Sequence, residues 1–293
     1  MLKECIDGLN IKPNGSYVDV TYGGGGHSRA ILNELGEDGP LLVFDQDADA
    51  VKNRIDDKRL FFCEANFRYL ENFSSFYGFD HFDGVLADLG VSSHHLDAAD
   101  RGFSFRFGEK ELDMRMNVKM EHSAKHILNS YEQPKLAKVL RMYGELDKAS
   151  PMANAILNYR KLKSIDTSTD LETALQKFLK PNSKNSVLAR VYQAVRIEVN
   201  QEMYTLELML NQATELLAPG GRLVVMSYHS LEDRMVKNLI QAGNVSGERV
   251  TDEFGRWDKK YQAITKKPVF ATEEERQQNT RARSAKLRIA EKL

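Results

Sequence analysis

The sequence predicts an α/β protein built on a Rossmann-like, mostly parallel seven-stranded sheet, with an all-helical segment inserted late in that sheet. Three observations predict it. A strand, a four-glycine turn and a helix follow one another from Tyr17 to Leu35. Apolar runs of strand length recur after that unit, and Asp19, Asp45 and Asp88 stand at the ends of three of them. From Ser123 to about Leu188 the apolar residues then recur with helical period and no strand candidate interrupts.

Composition narrows the class. The 293 residues are 42% hydrophobic and 28% charged with a net charge of −1, an ordinary globular balance. A nucleic-acid partner would therefore be gripped by local basic patches, not by the field of the whole molecule. No apolar run approaches the roughly 20 residues of a membrane helix, so no span is expected. The opening MLKECIDGLN is acidic and broken, unlike a signal peptide. Cys5 and Cys63 lie far apart without CxxC spacing, which argues against a disulfide framework or a metal site and suits a reducing cytoplasm.

Taken in order, Met1 to Leu9 reads as the end of an amphipathic helix, and Pro13-Asn14-Gly15 turns the chain into the first strand, Tyr17 to Val20. Gly23 to Gly26 form the turn, and His27-Ser28 open a helix through Ile31 and Leu32 to Leu35. LLVFD, Leu41 to Asp45, is a buried second strand. LFFCEANF gives a third strand with Phe67 in its exit loop, and FDGVLADLG a fourth ending at Asp88. VSSHHLDAADRGFSFRFGEKELDMRM has no clear period and reads as a long loop. In the helical segment, Thr169 and Glu172 are spaced as a capping box and Pro181 marks a stop. Arg190 to Leu217 reads as one long helix, after which Pro219-Gly220-Gly221 turns into a fifth strand, RLVVMSY. Ser230 reads as the cap of the next helix with Asp233 in the box position. YQAIT and AKLRIAE form a closing antiparallel pair. The division expected is 1–108 and 190–293 for the sheet domain and 109–189 for the inserted helical domain.

The turn does not fit a dinucleotide. A G-x-G-x-x-G fingerprint counted from Gly23 or Gly24 reaches Ser28 or Arg29 where its third glycine should stand. What fits is acid-x-Thr-x-Gly-x-Gly from Asp19 to Gly25, with further acids at Asp45 and Asp88. Strand ends line the crevice of an open parallel sheet, so the three acids should converge there. Acids suit a cationic ligand without phosphate, and S-adenosylmethionine, with its ammonium and sulfonium, is such a ligand. Asp45 lies about 20 residues beyond the glycines, where an acid meets ribose hydroxyls; a strand-end turn or helix cap is the alternative, since Asp47 and Asp49 follow, and the combined spacing favours ribose binding. Phe67 could pack on an adenine or belong to the core.

Several stretches together resemble one family: the bacterial cytosine-N4 methyltransferases of small-subunit ribosomal RNA. The matching segments are YVDVTYGGGGHS, DLGVSSHHLD with RGFSF and LDMRM, RVYQAVRIEVNQE, PGGRLVVMSYHSLEDRMVK and NTRARSAKLRIAE. They run in family order and cover most of the chain except the insertion and the stretch before Tyr261. The resemblance implies a class I methyltransferase domain with an inserted helical domain, using S-adenosylmethionine. It implies cofactor contacts at Gly25, Gly26, His27, Asp45, Phe67, Asp88 and His95, a cytidine of the decoding (P-site) region of 16S rRNA in the small ribosomal subunit as substrate, and no metal. Two departures are present. His95 stands where the family commonly has Gln, which alters the contact or keeps only its polarity. The chain opens at Met1-Leu2 where the family usually has a short His-containing segment, so that segment is either missing from this sequence or dispensable.

Methyl transfer to an amine conjugated with its ring needs an acceptor for an amine hydrogen, and positioning supplies much of the rate. Asp88 is the first candidate for orienting the amine or the cofactor, with Ser92, Ser93 and His229 behind it; His229 could instead bridge strand and helix. Many amino methyltransferases carry an acid-Pro-Pro-aromatic loop where this chain has Asp88-Leu89-Gly90-Val91, so the stacking aromatic is assigned to Phe103 or Phe105. A base is reachable only when unpaired or flipped out. Arg101, Arg106 and Arg115 flank the site in sequence, and Arg281 and Arg283 belong to a basic tail; phosphate contact or simple solvation accounts for each. A protein or small-molecule methyltransferase and a non-catalytic RNA-binding factor are the competing readings, which cofactor titration would separate.

Overall fold

The computed structural model describes residues 1–91, 98–255 and 257–293. They fall into two compact units, Met1–Gly90 with Met203–Leu293, and Val91–Glu202.

The first unit is the sheet. Its strands are β1 (Tyr17–Asp19), β2 (Leu41–Asp45), β3 (Leu60–Glu64), β4 (Phe82–Asp88), β5 (Leu217–Ser227), β6 (Tyr261–Ala263), β7 (Val269–Phe270) and β8 (Lys286–Lys292). They lie in the order β3-β2-β1-β4-β5-β8-β6, with β7 also paired to β8. The first five pair in parallel, and β8 runs antiparallel to β5, β6 and β7. The closing antiparallel pair is thus as expected, and β7 shares the outer position with β6. The order reverses between β1 and β4, the switch point where an open α/β sheet forms its crevice.

Period-2 alternation explains why both faces are covered. Val18, Leu42, Phe44, Val85, Leu223 and Val225 point to one face, against Met209, Leu210 and Ala213 of the helix Glu202–Leu216 and Leu239 of the helix Ser230–Ala242. Their neighbours Tyr17, Leu41, Val43, Leu86, Val224 and Met226 point to the other, against Cys5, Leu9, Ile31 and Leu32. Parallel strands buried on two faces read as continuous apolar runs, which is why LLVFD and FDGVLAD were legible. Pro219–Gly221 does not end a turn before β5 but lies within it: the step from Phe82 to Gly84 on β4 spans Leu217 to Arg222 on β5, a bulge. Both cysteines are free and buried.

The second unit has its own core, in which Leu112, Met114, Ile127, Leu140, Ile156, Leu171, Val191 and Val195 are buried. It is wider than 109–189 at both ends. Phe103 of the preceding loop is buried in it, and so are Val191, Val195 and Val199 of the helix Lys184–Asn200. The long helix expected from Arg190 to Leu217 is two. Lys184–Asn200 ends at Gln201, which is left-handed (φ 51°) and whose N–H returns to the carbonyls of Glu198 and Ile197; Glu202–Leu216 follows. The capping box also falls two residues earlier than expected. Thr167 accepts from the Asp170 N–H, and Asp170 accepts from the Thr167 N–H.

Candidate active site

The site is built at the switch point by the ends of β1, β2 and β4. Beyond Asp19 the β1 chain divides its hydrogen bonds: the Val20 N–H goes to the Leu86 carbonyl on one side and the Tyr22 N–H to the Phe44 carbonyl on the other. Gly23 (φ 53°) and Gly25 (φ 74°) take left-handed conformations. A Cβ on Gly25 would stand 2.7 Å from the Tyr22 hydroxyl, whereas a Cβ at Gly24 or Gly26 would meet open space. The helix Gly26–Glu34 then starts at Gly25 without a side-chain cap. Among the described residues no side chain caps its first N–H groups, which can serve an anion such as a carboxylate.

The three acids divide their work, which corrects the expectation that all converge on a ligand. Asp19 is fully buried and spent on the loop. Its Oδ1 accepts from the Thr21 N–H at 3.0 Å, and its Oδ2 accepts from the Ser28 hydroxyl at 2.7 Å. Asp45 is half-buried, with one oxygen accepting from Gly23 N–H and the other from Asp47 N–H, both at 2.8 Å. Burial raises its pKa and those two donors oppose the rise. Each oxygen keeps a lone pair for a further donor.

Asp88 closes β4. Its N–H donates to the Thr21 hydroxyl at 2.7 Å, its Oδ1 accepts from the Tyr228 hydroxyl at 2.9 Å, and its Oδ2 lies 3.8 Å from His27 Nδ1. The side chain is 27% exposed. Burial pushes its pKa up to about 6, against the opposing pull of His27 and Tyr228. The Tyr228 phenol is driven up in turn, by burial and by the adjacent carboxylate. His27 Nε2 is buried with no hydrogen-bond partner among the described residues. The crevice therefore holds an orphaned polar atom, open space over two glycines and uncapped helix amides, which is what a polar, partly anionic ligand fits.

Other expected site residues are placed differently. Phe67 opens a short turn, Phe67–Tyr69, and packs against the sheet core while staying half-exposed. His229 caps the helix Ser230–Ala242: its Nδ1 accepts from the Glu232 N–H, while Glu232 accepts from the Tyr228 and His229 N–H groups. The cap is therefore His229, not Ser230, and the imidazole bridges strand and helix. Asp233, freed from the box position, pairs with Arg288 (2.6 Å) and Lys286 (3.5 Å). That pairing spends both basic side chains on an acid of the helix Ser230–Ala242. Arg281 and Arg283 lie instead on the turn Thr280–Ser284, where Arg283 is exposed.

In the second unit Phe103 is 6% exposed and belongs to the core, so it presents no face for stacking. Phe105 is half-buried with its ring edge-on to Tyr192. Arg101 donates to the carbonyls of Arg115 and Met116, and Arg115 pairs with Asp113 and donates to the carbonyls of Val118 and Met120. Both guanidiniums shape their own loop, while Arg106 is exposed. Ser92, Ser93 and His95 lie outside the described residues. The residues missed from sequence are Thr21, Ser28 and Tyr228. For Thr21 a signal existed, since an Asp side chain commonly accepts from the backbone N–H two residues on.

Comparison with known proteins gives the family. The model of the MraW methylase family matches residues 1–293. Ribosomal RNA small subunit methyltransferase H of Bacteroides thetaiotaomicron is 51% identical over 292 residues, covering 100% of this chain and 96% of that protein. The protein of the same name from Flavobacterium psychrophilum is 50% identical over 292 residues, with 100% of each chain covered. Among solved structures, an rRNA methylase from Streptococcus thermophilus is 11% identical with a TM-score of 0.43, covering 100% of this chain and 93% of that one. Matched from end to end, and at half identity to those relatives, the chain belongs to the MraW methylase family.

Proposed function

We propose that this methyltransferase acts on 16S rRNA of the small ribosomal subunit, transferring a methyl group from S-adenosylmethionine to the N4 atom of a cytidine in the decoding, P-site region. One observation carries the reading: a phosphate-unfriendly crevice of acids beside a glycine turn, in a chain half identical over its length to proteins named for small-subunit rRNA methylation. When bound, S-adenosylmethionine supplies an electrophilic methyl group on a sulfonium. The uncapped amides at the start of the helix Gly26–Glu34 would hold its carboxylate, and the remaining lone pairs of Asp45 its ribose hydroxyls. His27 Nε2 offers a further polar contact, and the half-exposed Phe67 an apolar edge for the adenine.

Asp88 then does the chemistry this chain contributes. As a carboxylate it would accept a hydrogen of the cytosine amine, which localises the nitrogen lone pair, and would take the proton once the N–C bond has replaced the methyl–sulfur bond, whose electron pair stays with the sulfur as a neutral thioether. A pKa near 6 leaves it ionised at neutral pH yet basic enough to accept. Exposed Arg106 and Arg283 are left to contact phosphates, which makes binding salt-sensitive. The setting is the cytoplasm, where free thiols persist and subunits are assembled.

The test is a labelled methyl-transfer assay on small subunits from a strain lacking the enzyme, followed by nucleoside analysis of the rRNA. N4-methylcytidine at a single decoding-region position is expected. Label in another nucleoside, or in protein only, would overturn the assignment.

A further inference from the structure

We infer that Tyr228 is a positioning residue for the methyl transfer, anchoring Oδ1 of Asp88 so that the carboxylate stays ionised with Oδ2 presented to the amine. The inference rests on the reading of Asp88 given above and goes beyond it to a side chain delivered by a different strand. Tyr228 follows β5, 140 residues from Asp88, and its hydroxyl donates to Oδ1 at 2.9 Å. The ring packs against the apolar cluster on the helical face that contains Cys5, Leu9 and Ile31, so the hydroxyl is held by a fixed plane. Its own backbone N–H is bound by Glu232 at 2.8 Å, which fixes the main chain at the same point. Across the strand, a Cβ at Gly90 (φ 99°) would stand 3.0 Å from the Tyr228 ring; the missing side chain there lets the ring lie over the β4 exit.

The two carboxylate oxygens thus have different neighbours. Oδ1 is engaged by a neutral, half-buried donor, and Oδ2 faces His27 Nδ1 at 3.8 Å, beyond hydrogen-bond range, and is left to accept. A hydrogen bond donated to the charged form favours that form. Removing the hydroxyl while keeping the ring should therefore leave the carboxyl protonated to higher pH and free to rotate. The other titratable groups facing Asp88 are His27 from the helix Gly26–Glu34, Asp19 from β1, Cys5 from the helix Leu2–Leu9 and the Met1 amino group. Tyr228→Phe leaves all of them in place.

Two readouts test this. In protein carrying 13C-labelled aspartate, assigned by Asp88→Asn, the titration midpoint of the Asp88 carboxyl should rise by about one pH unit in Tyr228→Phe. A fluorotyrosine at position 228, a stronger donor, should move it down. In the methyl-transfer assay the acid limb of kcat should shift with it, making the wild-type-to-variant rate ratio about fivefold larger at pH 6 than at pH 8.5. An unmoved midpoint in both substituted proteins overturns the inference, as does a loss of kcat uniform across pH, which marks a structural role. If the wild type transfers no methyl group to any substrate, the methyltransferase mechanism falls, and the positioning of Asp88 by Tyr228 still stands or falls on the midpoints.

Discussion

Asp88→Asn should inactivate the protein and stabilise it. Burial holds the acid at a pKa of about 6, above its ordinary value of 3.8, so folding disfavours its charged form. A raised carboxyl contributes no penalty below its unfolded pKa. The penalty grows as pH rises through the interval from about 4 to about 6 and is constant above it. At about 1.36 kcal/mol per pH unit this gives about 3 kcal/mol at pH 7 and about 1 kcal/mol at pH 4.5. Asparagine keeps an oxygen for the Tyr228 hydroxyl and the backbone N–H to Thr21, and carries no charge. Urea denaturation should therefore show the variant more stable by about 2–3 kcal/mol at pH 7, with the advantage shrinking to about 1 kcal/mol at pH 4.5. Turnover should fall by at least about 10²-fold, since the acceptor for the amine proton is gone. An equal advantage at the two pH values, or a variant less stable than the wild type at pH 7, would refute the burial argument. Retained turnover would remove Asp88 from the chemistry.

The glycine loop offers sharper steric and polar tests. Ser28→Ala strips the donor from buried Oδ2 of Asp19 and should cost about 1–3 kcal/mol, read by denaturation, with weaker cofactor binding by calorimetry. Gly25→Ala forces a side chain into φ 74° and to 2.7 Å from the Tyr22 hydroxyl; cofactor affinity should drop by about tenfold or more. His229→Ala loses a helix cap worth about 1 kcal/mol, and kcat should stay within about threefold of the wild type, because the imidazole serves the helix Ser230–Ala242. A hundredfold fall in kcat would return His229 to the mechanism. Charge reversal at Arg283 should weaken RNA binding and flatten its salt dependence, whereas reversal at Arg288 should chiefly destabilise the fold through Asp233.

What was legible in the sequence followed from local rules. Strand runs such as Leu41–Asp45 and the turn of Gly23 to Gly26 announce themselves because burial on two faces and positive φ each demand particular residues next to one another. The break at Gln201 was hidden because the left-handed residue is not a glycine and the apolar period continues through it. The cap at His229 was masked by Ser230 beside it, a stronger cap former that sits one position inside the helix. Arg101, Arg115 and Arg288 looked alike as basic residues, yet their partners are carbonyls and carboxylates that only the folded loop or the β5–β8 pairing brings near. Tyr228 was out of reach for the same reason, since its partner is set by the parallel register that puts Asp88 beside Met226.

The division of labour among the acids bears on why a cationic ligand suits the crevice. Burial disfavours the charged forms of Asp45 and Asp88, and the neighbouring Asp19 carboxylate adds to it. Asp19 accepts from Thr21 and Ser28 within the loop. Asp45 is answered in part by two backbone donors, and Asp88 by one phenol and a distant imidazole. The charge left over sits at the ends of β2 and β4, on either side of the glycine turn that follows β1. An anion such as a pyrophosphate placed there would raise both acids further, whereas a ligand bearing an ammonium and a sulfonium would lower them. Binding of such a cation should therefore drive proton uptake in reverse: near pH 6 it should release protons as Asp88 ionises, by up to about half a proton per site. Calorimetric titration in buffers of different ionisation enthalpy measures that release. Proton uptake on binding would mean that the ligand's charge is met elsewhere, and the electrostatic case for a methyl-donor crevice would fail with it.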